Sequence, residues 1–373
     1  MTDHLLTVDG MHFSPHKVLV IAEIGTGHRN DRRKGDELAA AAVGAGADCV
    51  KFQHVYADEI IHPATGMVPL PGGTVPLYER FRELETGPGF MEGMKDTVER
   101  LGALFLCSPF GVRSARELRA MGVRAMKVAS PELNFTQLLD ELGSYCLPTI
   151  LSTGVSTLSD IEQALEHFPR HKGGLALLHC VTAYPAPETD YNLRILPLLS
   201  GLLGIAVGVS DHSLDPVLVP ALSVACGGSV VEKHFCLSRG DKGLDDPIAL
   251  EPDSFAEMVR AVRLAEKATA PETIAALGKR CGSDTVEAVL GSGRKELAPS
   301  ERGNYLRTNR SIHARRPIAK GEVLDAGNLA VLRTEKILRP GIHPRYLGIV
   351  SGRKAARDIP DGEGVEWEDV GGF

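Results

Sequence analysis

Ile205-Ala-Val-Gly-Val-Ser210 is a short apolar run that stops on a hydroxyl, and Ser229-Val-Val-Glu232 is another that stops on a carboxylate. Between them lies one stretch of helical spacing. Upstream the same unit recurs six times: Val18–Ala22 runs into Glu23, Cys49–Val50 into Lys51, and Leu104–Cys107 into Ser108. Val123–Met126 runs into Lys127, Thr149–Leu151 into Ser152, and Leu175–Leu178 into His179. Strand and helix in alternation, with a chemically able residue at each strand end, is the pattern of a (β/α)8 TIM barrel with its site at the C-terminal face. A doubly wound sheet also alternates, but gathers its chemistry near one switch point. Eight armed ends therefore predict the α/β barrel.

At 373 residues the chain exceeds the ~250 of a bare barrel, so a second, smaller module is expected. A net charge of −7 gives no basic excess for nucleic acid. No apolar stretch reaches the ~20 residues of a membrane span, and Met1–Gly10 lacks the basic and apolar regions of a secretory signal. Seven cysteines, an odd number without CxxC spacing and mostly inside apolar runs, read as reduced thiols of a cytoplasmic protein.

The expected organisation is a barrel domain over 1–267, a linker over 268–310 and a small β-rich module over 311–373. The amphipathic segment Pro252–Lys267, with Phe255, Met258, Val259, Val262 and Ala265 on one face, should close the barrel. The connection from His54 to Leu104 is long and carries Pro69, Pro71, Gly72, Gly73 and Pro76 before a helical stretch with Tyr78, Phe81 and Leu84. Such a loop either covers substrate or is a surface excursion. Ala270–Gly278 reads as a short helix and Gly291–Arg310 as a polar linker with reach. The module of roughly 60 residues is near the lower limit for independent stability and should dock on a barrel.

Two histidines, His212 and His234, follow the last two strands. Adjacent strands lie ~4.8 Å apart, so the two imidazoles can share one divalent cation such as Mn²⁺ or Mg²⁺. Lys51 and Lys127 end strands 2 and 4, with Ser108, Ser130, Ser152 and Ser210 on neighbouring ends. Ammonium groups among hydroxyls form a pocket for a small phosphate- or carboxylate-bearing anion. A Schiff-base lysine needs a desolvated amine of depressed pKa, against which the anion-rich pocket argues. Carboxylates at Glu23, Glu132, Glu232 and Asp245 supply acid–base, hydroxyl-orienting or ion-pairing groups, and sequence alone does not apportion those roles.

In this order the residues resemble the sialic acid synthase (N-acetylneuraminate synthase) family, the phosphoenolpyruvate-dependent nonulosonate synthases. The likeness is carried by Ile21-Ala-Glu-Ile-Gly25, Val50-Lys-Phe-Gln53, Phe105-Leu-Cys-Ser-Pro-Phe110, Lys127-Val-Ala-Ser-Pro-Glu132 and Leu151-Ser-Thr-Gly154. It continues through Leu178-His-Cys180, Tyr184-Pro-Ala-Pro187, Gly208-Val-Ser-Asp-His212, Val231-Glu-Lys-His-Phe235 and Leu250-Glu-Pro252. The end of the chain, with Ser311–Ile318, Lys320-Gly-Glu322 and Asn328-Leu329, is similar to the antifreeze-like SAF domain.

The resemblance implies condensation of phosphoenolpyruvate with an N-acylamino-sugar aldehyde to a 2-keto-3-deoxy sugar acid and phosphate. It gives phosphoenolpyruvate to Lys51, Lys127, Ser108, Ser130, Ser152 and Ser210, and the metal to His212 and His234. Glu23, Gln53, Tyr184 and Asp245 would contact the sugar, with Thr182 where the family has Asn or Ser, and Glu132 and Glu232 join the catalytic set. It also implies a homodimer in which the small domain caps the partner's barrel and offers an Arg to the sugar. Arg333 is the first choice, although the family's Pro-Gly follows Arg339 instead. Two other readings compete: a 3-deoxy-octulosonate-type condensation with another aldose, and a catalytically silent sugar-binding barrel. The SAF-like module argues against the first, and the intact Lys51, Lys127, His212 and His234 argue against the second.

Overall fold

The computed structural model describes residues 4–70, 73–168, 174–241, 243–335 and 337–372. Eight parallel strands form the barrel: β1 (Leu19–Gly25), β2 (Cys49–His54), β3 (Leu104–Pro109), β4 (Met126–Val128), β5 (Thr149–Ser152), β6 (Leu175–Cys180), β7 (Ala206–Asp211) and β8 (Val230–His234). Their hydrogen-bonded order is β3-β2-β1-β8-β7-β6-β5-β4, and β3 and β4 at its two ends lie against each other and close the ring. All eight apolar runs lead into a strand, although Val123–Met126 enters its strand only at Met126. Most continue one or two residues past the polar group that ends the run.

Successive side chains on a strand face opposite sides, so parity decides what enters the barrel. The inner set, Leu19, Ile21, Cys49, Leu106, Ala125, Ile150, Ala176, Leu178, Ala206 and Val230, forms one buried cluster. An N-terminal hairpin, Leu6–Val8 paired with Met11–Phe13, plugs its floor with Leu6, Val8 and Phe13. Residues of the other parity, such as Val20, Val50, Phe52, Leu177, Val207 and Val231, pack outward under the helices. The last barrel helix, Pro252–Ala265, buries Phe255, Met258, Val259, Val262 and Ala265, the face read from its spacing.

The β2–β3 connection is a built structure. It holds a hairpin (Met67–Leu70 with Gly73–Pro76) and two helices, Leu77–Leu84 and Pro88–Arg100; Pro71 and Gly72 lie outside the described residues. Val55, Ile60, Ile61, Val68, Leu77, Leu84 and Phe110 give it a core of its own.

The segment read as a linker differs from the expectation. It carries two helices, Ala270–Cys281 and Ser283–Leu290, and from Gly291 it runs bound across the barrel mouth. The C-terminal module pairs β9 (Arg310–Ala314) with β10 (Leu329–Arg333) in antiparallel fashion around a small core that includes Ile312, Leu324, Val350 and Val365. Within the described chain this module closes the chain's own barrel. A parallel bridge joins Ile61 to Arg333, and the Arg310 side chain donates to the Glu59 and Ile60 carbonyls.

Candidate active site

Above the apolar floor the inward parity continues with polar residues. Glu23 follows Ile21, Lys51 follows Cys49, Lys127 follows Ala125, and Glu232 and His234 follow Val230. Strand register sets His234 beside Glu23, Glu23 beside Lys51, and Ser210 beside Glu232. At Gly25 the β1–β2 register slips and φ reaches +58, a left-handed turn that favours glycine. These groups line a cavity of about 370 Å³.

The two lysines differ. Lys51 Nζ lies 3.0 Å from Glu23 Oε2 and 3.4 Å from Glu232 Oε1. Burial opposes its charge, but the two carboxylates outweigh burial and hold its pKa above the usual lysine range. Lys127 Nζ donates to Ser152 Oγ at 2.6 Å and to the Val128 carbonyl at 2.9 Å. Burial outweighs the more distant pull of Glu232 and brings its pKa down to about 8. Glu232 accepts from Ser210 Oγ at 2.9 Å; burial would raise its pKa, yet Lys127 and Lys51 bring it down to about 2. Gln53 Nε2 donates to Glu23 Oε1 at 2.7 Å.

His212 and His234 face the same cavity with ring centroids 5.5 Å apart, and Tyr184 stacks on His212 at 4.3 Å. His212 Nδ1 donates to the Val181 carbonyl at 2.8 Å, which fixes the ring; burial opposes its charge, but Cys180 outweighs burial and brings its pKa up to about 9, so a cation at Nε2 would displace a proton. Burial pushes the His234 pKa down to about 3, keeping a neutral imidazole 3.8 Å from Asp245 Oδ2. The donor chemistry fits a divalent cation with two imidazole ligands. No group of three His, Cys, Asp or Glu able to hold a metal occurs among the described residues, so water or substrate would complete the coordination.

Fourteen of the sixteen residues singled out from sequence line this cavity: Glu23, Lys51, Gln53, Lys127, Ser130, Ser152, Thr182, Tyr184, Ser210, His212, Glu232, His234, Asp245 and Arg333. Two do not. Ser108 is fully buried, 3.5 Å behind Lys51 Nζ. Glu132, expected among the catalytic groups, is fully buried as well. Its Oε1 accepts from Arg310 Nη2 at 2.9 Å and from Arg333 Nη2 at 2.7 Å. Glu132 therefore bolts the module to the barrel, and of its two arginine partners Arg333 reaches the cavity. His179, which ends an apolar run, belongs to the outward parity; its Nε2 bonds the Tyr191 carbonyl at 2.6 Å and stays out of the site. Arg339 also lies elsewhere, paired with Asp369 and Glu366.

Sequence reasoning missed Cys180, Asn304, Thr308 and Glu335, all in the cavity wall. Parity from Ala176 and Leu178 points to Cys180. Nothing periodic marks the other three. Val68, Leu77, Phe81, Phe110 and Leu244 add an apolar wall, and the Arg333 guanidinium lies 5.2 Å over the Phe110 ring. The long β2–β3 connection thus covers the site.

Residues 38–273 match the NeuB family, and residues 309–371 match the SAF domain. The chain belongs to the NeuB family. NeuB relatives include the spore coat polysaccharide biosynthesis protein SpsE of Bacillus subtilis, 33% identical over 95% of this chain and 93% of that one. The crystal structure of SpsE superposes with a TM-score of 0.82 at 30% identity, covering 99% of both chains. The pseudaminic acid synthase of Campylobacter jejuni is 30% identical over 95% of this chain and 96% of its own. The N,N'-diacetyllegionaminic acid synthase of Legionella pneumophila is 29% identical over 94% of each. This NeuB-family chain is an enzyme of the nonulosonate synthase kind, and no helix among its described residues is long and apolar enough to cross a membrane.

Proposed function

We propose that the enzyme condenses phosphoenolpyruvate with an N-acylamino-sugar aldehyde to give a 2-keto-3-deoxy nonulosonic acid and phosphate. The observation that carries this reading is the meeting of Lys51 and Lys127 with His212, His234 and Arg333 in one cavity. The lysines, with Ser130, Ser152 and Ser210, bind the phosphate and carboxylate of phosphoenolpyruvate. Glu23, Gln53, Tyr184 and Asp245 orient the sugar, and Arg333 donates to its acyl carbonyl. His212 and His234 would hold a divalent cation, which would supply Lewis acidity toward the sugar aldehyde. C3 of phosphoenolpyruvate bonds to the aldehyde carbon, water adds at C2, and the C2–O bond breaks to release phosphate. Glu23 and Glu232, both within reach of Lys51, are carboxylates that would accept the proton of the adding water.

The apolar wall favours a modified hexosamine, with methyl or acyl groups in place of hydroxyls, over N-acetylmannosamine. The test is phosphate release from phosphoenolpyruvate across a panel of amino sugars. Release that needs sugar, stops in EDTA and returns with Mn²⁺ or Mg²⁺ is expected, with deoxy diacylamino hexoses ahead of N-acetylmannosamine. Full activity in EDTA, or metal retention by His212→Ala and His234→Ala, defeats the metal assignment. Release without sugar defeats the synthase.

The homodimer implied by the resemblance remains a proposal. Exchange of modules would make the Glu132–Arg310–Arg333 contact, seen here within one chain, between two copies. Mixing Arg333→Ala with Lys127→Met subunits tests it: exchange restores one site per heterodimer, whereas closure within each chain restores none.

A further inference from the structure

The strap from Ala298 to Asn309 holds two backbone segments of the barrel by both of their polar groups. Glu301, itself buried, accepts through Oε2 from the Val155 N–H and from the Thr182 N–H, each at 2.9 Å. Asn309 Nδ2 donates to the Val155 carbonyl at 3.1 Å, and Asn304 Nδ2 donates to the Thr182 carbonyl at 2.8 Å. Val155 needs this clamp. Its φ is +43, a left-handed conformation that costs a β-branched residue on the order of 1–3 kcal/mol and persists only where surroundings enforce it. Thr182, by contrast, carries a buried Oγ1 with no hydrogen-bond partner among the described residues, and it lines the cavity.

Two strap residues also enter the cavity wall, Asn304 and Thr308. Asn304 gives one amide hydrogen to the Thr182 carbonyl, and its Oδ1 is left as an acceptor. Thr308 Oγ1 donates to the Asn304 carbonyl at 3.2 Å and keeps its lone pairs. The strap therefore offers acceptors, where the lysines and Arg333 offer donors. Phosphoenolpyruvate has only acceptors at neutral pH and gains nothing from Thr308 Oγ1 or Asn304 Oδ1. A sugar has hydroxyl and amide N–H groups to give.

We infer that the 298–309 strap is a specificity element for the acceptor sugar: Asn304 and Thr308 accept from its O–H or N–H groups, and Glu301 is the positioning residue that latches them over the mouth. This rests on the synthase reading of the cavity. Thr308→Ala should raise the sugar KM about five- to tenfold, leave the phosphoenolpyruvate KM within twofold, and be rescued by Thr308→Ser. Glu301→Ala should raise the sugar KM in the same sense and speed tryptic cleavage at the exposed Arg302 and Arg307 at least tenfold. Direct titration of the panel sugars reads the same effect without turnover. If wild-type enzyme turns over a sugar whose KM is unmoved in Thr308→Ala, or if both substrates weaken equally, the strap reading is overturned while the synthase stands. If no sugar binds or reacts with wild-type enzyme, both fall.

Discussion

The cavity has two halves of different origin. One is strand-borne: Glu23, Lys51, Lys127, Ser152, Ser210, Glu232 and His234 all project from the ring at positions fixed by parity and register. The other is loop-borne, assembled from the β2–β3 connection, the strap and the SAF module, with Phe81, Asn304, Thr308, Arg333 and Glu335. The first half is dense in charge and closely hydrogen-bonded; the second mixes an apolar wall with a few directed polar groups. A rigid ring suits the part of a substrate that never changes, here phosphate and carboxylate. Loops, which vary without disturbing the barrel core, suit the part that differs between sugars.

The largest effects should come from the strand-borne half, and the two lysines should separate. Lys127→Met and Lys51→Met are each expected to cut phosphate release by at least about 100-fold, as removal of a preorganised charge does. Their stabilities should diverge. Lys51→Met leaves Glu23 and Glu232 buried without their cation, costing on the order of 3 kcal/mol. Lys127→Met removes an amine that touches one hydroxyl and one carbonyl and supports Glu232 only through space, with Lys51 still beside that carboxylate, so its melting temperature should fall less than that of Lys51→Met. Both lysines sit at strand ends, and the difference between them lies in side-chain partners that no spacing reveals. Equal melting temperatures would break the distinction.

A smaller effect follows from the same contrast. Lys127, brought down by burial to about 8, carries its proton below that pH and loses it above. Phosphoenolpyruvate needs the ammonium, so its kcat/KM should be flat below about pH 8 and fall up to tenfold per unit above it. Bound phosphoenolpyruvate raises that pKa by its own charge, so the fall in kcat should begin at higher pH. A profile flat to pH 10 would contradict the role. A borohydride-trapped adduct on Lys127 would mean that its depressed pKa serves a Schiff base instead.

Legibility in the sequence follows the same division. The barrel was readable because each strand follows a short apolar run with a polar residue near its end, and fourteen of the residues picked from that pattern and from the family resemblance line the cavity. Glu132 misled because a carboxylate just past a strand end looks available until the module is docked; its partners, Arg310 and Arg333, lie 178 and 201 residues away in sequence. The strap looked like a linker because its polar, Gly- and Pro-punctuated composition is that of solvent-facing chain. Its hydrogen bonds go to backbone groups at Val155 and Thr182, and such contacts carry no residue signature.

Calorimetric titration of phosphoenolpyruvate into wild-type, Arg333→Ala and Lys127→Met enzyme tests the two-halves account most directly. Arg310 remains on Glu132 when Arg333 is removed, so the module should stay docked. The account predicts wild-type affinity in Arg333→Ala, whose defect should be confined to the sugar, and binding weakened beyond about 100-fold in Lys127→Met. Equal weakening of phosphoenolpyruvate binding in both variants would contradict it.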